Sequence, residues 1–143
     1  MSSHGIKKRM NTLIEKKHRL FIVLSLISLH SFLVGIGLIL FPGELMEYLG
    51  FNFVNERFFQ AQAGVFHIIL SICYILPLFN YDNFKTLVIF FIVIKIIATL
   101  FLFIYFLFFD SIVCVLLSGF GDCAMAILLL YLFYDQQKEF IEK

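Results

Sequence analysis

Residues 84–109 read FKTLVIFFIVIKIIATLFLFIYFLFF, and this run decides the fold. Of its 26 residues, 20 are Leu, Ile, Val or Phe, and one lysine, Lys95, stands near the middle. As a helix the run is roughly 39 Å long at ~1.5 Å per residue, more than a hydrocarbon core of about 30 Å, so it crosses a bilayer with a tilt or projects from it. Lys95 costs roughly 2.5–3.5 kcal/mol at such a helix centre, while each Leu, Ile, Val or Phe contributes at most about 0.3–0.6 kcal/mol in return. Twenty of them make insertion possible even with Lys95 unpartnered.

Working outward, three more runs meet the requirement of about 20 mostly apolar residues: 20–41, closed by Pro42-Gly43; 58–79, with Pro77 near its end; and 112–134. The expected fold class is all-α, an integral membrane four-helix up-down bundle. It forms one domain, 20–134, between a basic cytoplasmic N-terminal segment, 1–19, and a cytoplasmic tail, 135–143. The run 20–41 is too long for a cleaved signal sequence and carries no A-x-A-like site, so it reads as a retained helix. Composition agrees, with 62% of 143 residues hydrophobic and 15% charged, against about 25% charged in soluble domains. A net charge of +1 points to no nucleic-acid partner; the lipid bilayer is the expected one.

Connections set the packing order. NYDN (80–83) and DS (110–111) are so short that the helices they join must be antiparallel neighbours. The loop 42–57, PGELMEYLGFNFVNER, is longer, and Leu45, Met46 and Leu49 recur in it at helical spacing. It reads as a short interfacial helix serving as a connector. Nine of the eleven Lys and Arg (Lys7, Lys8, Arg9, Lys16, Lys17, Arg19, Lys85, Lys138 and Lys143) fall on one side of the spans, and Arg57 alone on the other. Both termini are therefore expected in the cytoplasm. Arg57 and Glu56 stand at the outer boundary of the second span, where an arginine snorkels to headgroups.

Depth singles out the candidate site. The span midpoints fall near residues 30–31, 68–69, 96–97 and 123, and the nearest ionisable residues are His30, His67, Lys95 and Asp122. Ionisable groups at mid-membrane mark functional sites by default and seek partners. Lys95 and Asp122 lie on sequential antiparallel helices, so an ion pair with a histidine at its side is expected. On the second span Gln60, Ala63, Gly64, His67, Ser71 and Tyr74 form a polar-and-small stripe; on the fourth, Ser118, Gly119, Asp122 and Ala126 do so. Four such faces meeting inside the bundle would make one polar core. The bland alternative is a satisfied pair that only fixes helix register.

Other chemistry is weakly marked. Cys73, Cys114 and Cys123 stand inside apolar runs with no CxxC, and read as small buried hydrophobes. GFGDC, 119–123, lies within a span and is no phosphate loop. A metal held by His30, His67 and Asp122 would be opposed by Lys95, so no metal site is assigned and no cofactor is identified.

The segments GIGLILFPGELMEYLG and FFQAQAGVFHIILSICYIL, followed by Lys95 and Asp122, resemble small four-helix bacterial membrane proteins that are DoxX-like in the broad sense. The resemblance implies a bacterial inner-membrane location and, for some such proteins, an accessory role beside a redox enzyme that feeds quinone. The reading is a non-catalytic ligand-binding or accessory subunit built around His67, Lys95 and Asp122. His30, Gln60, Ser71, Tyr74 and Ser118 are further candidates, and a homo-oligomer or a membrane complex is the expected setting. Two alternatives stand beside it: a proton-coupled transporter of a small solute acting as an oligomer, and a membrane enzyme on lipid or isoprenoid.

Overall fold

The computed structural model describes residues 3–52 and 57–141. They form five helices: α1 (Ser3–Leu40), α2 (Gly43–Tyr48), α3 (Phe58–Phe79), α4 (Tyr81–Phe108) and α5 (Val113–Ile141). Among the described residues there is no strand. Four stretches are long and apolar enough to cross a membrane: Ile14–Leu40, Phe58–Phe79, Asn83–Phe108 and Val113–Gln137. The chain is a small all-α, four-helix, multi-pass membrane protein. Glu56 and Lys143 lie outside the described residues.

Local chemistry sets the element ends. Pro42, extended at φ −67° and ψ 162°, stops α1 and opens α2. Gly50 closes α2 at φ +95°, a left-handed conformation that favours glycine. There the Gly50 and Phe51 N–H groups donate back to the carbonyls of Glu47 and Met46, at 2.9 and 3.0 Å, in a Schellman pattern. Asn80 caps α4 by accepting from the Asn83 N–H at 3.2 Å. The basic segment is no separate element, because α1 runs unbroken from Ser3 through it. Lys, Arg and Glu are good helix formers, and Arg19 and Glu15 pair one turn apart at 2.6 Å.

The helices assemble as two pairs. α1 packs most extensively on α3, and α4 on α5; the α1–α5 and α3–α4 seams are smaller, and across the diagonal Lys17 of α1 reaches the Tyr81 ring of α4 by its side chain. The smaller seams lie toward the chain ends, where Lys16 of α1 meets Asp135 of α5 at 3.0 Å. We call this the terminal side and its opposite the α2 side. The apolar core shared by all four helices contains Leu20, Leu24, Ile27, Tyr74, Val88, Phe91, Leu129 and Leu132. All of them lie on the terminal side of Lys95 and Asp122.

Seven-residue steps stay on nearly one face of a helix, and they show the pairs parting toward α2. Along α1, Leu20 and Ile27 are buried, Val34 is half-buried, and Phe41 just beyond the helix is exposed. On α3, Pro77 is buried, Leu70 half-buried and Ala63 exposed. On α5, Leu132 is buried, Met125 half-buried and Ser118 exposed. Among the described residues, the bundle is thus packed between the pairs at one end and open at the other. The chain after α1 crosses this opening, since a side chain at Gly50 would touch Ile112 at the α4–α5 turn. A cavity of about 410 Å³ lies where the crossing meets that turn, lined by Tyr48, Leu49, Asn52, Asp110 and Ser111 among others.

Candidate functional site

At the level where the shared core ends, Lys95 Nζ of α4 stands 2.5 Å from Asp122 Oδ1 of α5. Their side chains are 7% and 16% exposed. The short turn after α4 brings the two residues to the same height. Gly119, one turn from Asp122, sits against Phe103 and Leu102, which lets α5 come close. The Lys95 carbonyl accepts a bond from Thr99 Oγ1 at 2.8 Å, so the helix itself satisfies that hydroxyl. Among the described residues, Lys95 is the one hydrogen-bonding partner of Asp122, which leaves Oδ2 unengaged by protein.

Tyr74 brings α3 to the pair. Its ring packs on Phe91 at 4.4 Å between centroids, and the Lys95 ammonium lies 6.0 Å from its centroid, at the outer limit of cation–π attraction. His67, two turns earlier on α3 and half-buried, stands within electrostatic range of Lys95, Asp122 and His30.

The rest of the α3 stripe is engaged by α1. Ser28 Oγ donates to the Ser71 carbonyl at 2.7 Å, and Ser31 Oγ donates to the His67 carbonyl at 3.0 Å. Ser31 Oγ also lies 3.3 Å from His67 Nδ1. Gln60 Nε2 donates to the Leu38 carbonyl at 2.9 Å. Between these bonds, Gly35 and Gly64 let the two backbones touch. The seam is thus a ladder of side-chain donors on the other helix's carbonyls, the usual way small and polar residues join membrane helices.

The structure therefore brings Lys95, Asp122, Tyr74 and His67 together and directs Gln60 and Ser71 into the α1–α3 seam. His30 and Ser118 are exposed on the flanks of the opening. The Ser118 hydroxyl bonds the Cys114 carbonyl of its own helix at 2.9 Å. The exposed Arg57 guanidinium caps α1, donating to the carbonyls of Ile39 and Phe41 at 3.1 and 2.5 Å. A cation at a helix C-terminus meets its negative dipole end.

A second polar network closes the terminal side. Besides the Lys16–Asp135 pair, Gln136 Nε2 donates to the Lys16 carbonyl at 3.2 Å, and Lys85 Nζ to Gln137 Oε1 at 2.6 Å. Lys17 stands 5.6 Å from the Tyr81 ring centroid. Sequence reasoning passed over these contacts, since they lie beyond the apolar runs that draw attention. Their signal was the common height of Lys16, Lys85 and Asp135 near the ends of three apolar spans.

Among the described residues no three His, Cys, Asp or Glu side chains are placed to hold a metal ion. Cys73, Cys114 and Cys123 are free thiols, each half-buried. Comparison with known proteins found no matching family model, no matching curated protein and no matching solved structure.

Proposed function

We infer that the protein is a non-catalytic ligand-binding or accessory subunit of a bacterial inner membrane, with both termini in the cytoplasm, and that Lys95, Asp122 and His67 form its binding site. The observation that carries this is the placement of the pair. It stands where the shared core gives way to the opening, with one carboxylate oxygen and two ammonium N–H groups beyond the bond that joins them. A pair that served register alone needs no such access. The resemblance to DoxX-like proteins favours the accessory role.

The test is the neutral double variant Lys95→Met with Asp122→Leu, compared with deletion of the gene. It should fold, insert and reproduce the deletion phenotype. A double variant that supports the cell under every condition where deletion has a phenotype would reduce the pair to a packing device.

A further inference from the structure

The opening between the helix pairs is shaped for a particular kind of occupant. Its floor is the Lys95–Asp122 pair with His67 beside it. One flank, between α1 and α5, carries His30, Val34, Ser118 and Gly121, and the space around Gly121 is empty enough that a Cβ there would meet nothing within 4 Å. The other flank, between α3 and α4, carries Ala63 and Ala98. Both flanks lie within the spans, while the crossing at Gly50 and Ile112 roofs the end.

We propose that this opening takes a neutral single-chain amphiphile from the lipid phase, entering past Ser118 and Gly121, with a hydroxyl or carbonyl head on the Lys95–Asp122 floor. The proposal rests on the binding-site reading above and names the ligand class. Four features select that class. The floor is one cation beside one anion, so a charged head would displace one member of the pair, whereas a neutral head can accept from Lys95 or donate to Asp122. In a low-dielectric site such unengaged groups favour a polar head over bare hydrocarbon. Apart from His30, the walls are apolar or small, which suits a chain. A transmembrane helix of a second copy does not fit, because the terminal side is closed by the shared core and the α2 side is roofed.

The experiment uses the full chain in phosphatidylcholine vesicles. The probe is a long-chain primary alcohol with a diazirine in the chain and a terminal alkyne; its control is the same chain without the hydroxyl. The alcohol should label segments around Val34, Ala63 and Ser118 above the outward-facing segments around Leu26 and Ile89. Unlabelled alcohol should compete better than an amine or carboxylate of equal length. Gly121→Leu combined with Ser118→Leu fills the flank at positions that bury nothing, and should cut the labelling several-fold while the thermal midpoint stays at or above wild type. The neutral double variant should erase the alcohol's advantage over the hydrocarbon. Equal labelling by both probes, or labelling spread around the perimeter, overturns the proposal. Loss of head selectivity in the neutral double variant, with no effect of the flank-filling variant, overturns entry by this route and leaves the binding site standing. A neutral double variant that behaves as wild type in cells sinks the site itself.

Discussion

Gly35 of α1 and Gly64 of α3 face each other so closely that a Cβ built on either would lie 2.7 Å from the other's carbonyl oxygen. Side-chain atoms of Ile68 and Ile39 crowd the same positions, but the carbonyl oxygens are backbone and cannot swing aside. Gly64→Ala should therefore destabilise the protein by about 1–3 kcal/mol or more, the usual cost of overpacking. Gly121→Ala, built into open space, should be neutral or gain up to about 1 kcal/mol from helix propensity. Equal melting of the two variants in detergent would refute the close crossing.

Breaking the Lys95–Asp122 contact on one side leaves a charge with its partner gone. Lys95→Met and Asp122→Leu should each cost about 3–5 kcal/mol, and the double variant much less than their sum. A double-mutant cycle on solubilised protein measures the coupling. Additive losses would mean that the two residues do not meet in the folded protein.

Ser28 and Ser31 make single hydrogen bonds from α1 to α3 carbonyls. In membranes such bonds average about 0.6 kcal/mol and reach at most about 1.7, because the separated helices find other partners. Ser28→Ala and Ser31→Ala should each fall in that range, well below the loss from either member of the ion pair. A serine variant as damaging as Asp122→Leu would assign these hydroxyls a larger role than packing.

The positive charge near both chain ends predicts that they share the cytoplasm. Reporter fusions at the C-terminus and within residues 43–52 should give opposite signals. Like signals would refute the orientation, and with it the even number of crossings.

The spans were legible because apolar length alone specifies them: α3 runs from Phe58 to Phe79, the bounds its apolar run marks. Hydropathy is silent on helix outside the membrane, so the continuation of α1 back to Ser3 and of α5 to Ile141 went unread. Depth placed Lys95 and Asp122 level with each other, and antiparallel neighbours at one height meet. It could not say which neighbour a polar stripe faces. Gln60 and Ser71 have the spacing of a site, yet Gln60 finds the Leu38 carbonyl of α1 and the Ser71 hydroxyl bonds the Ile68 carbonyl of its own helix, in a seam that Gly35 and Gly64 bring close. His30 shares the depth of Lys95 but sits on the flank where α1 and α5 have separated, a departure that no single span encodes.

Two pairs of helices joined at one end act as a pair of lever arms. The fulcrum is the Tyr74–Phe91 contact and the apolar residues around it, and among the described residues the free ends are linked where Tyr48 to Asn52 come beside Asp110 to Ile112. A small rotation at the fulcrum grows with distance along the arms, so the same motion that barely disturbs Leu24 or Leu129 widens the gap beside Ser118. Amide exchange should record this as a gradient, slowest near Phe91 and faster along each helix toward α2. The width of the molecule on the α2 side should therefore vary more than its width on the terminal side.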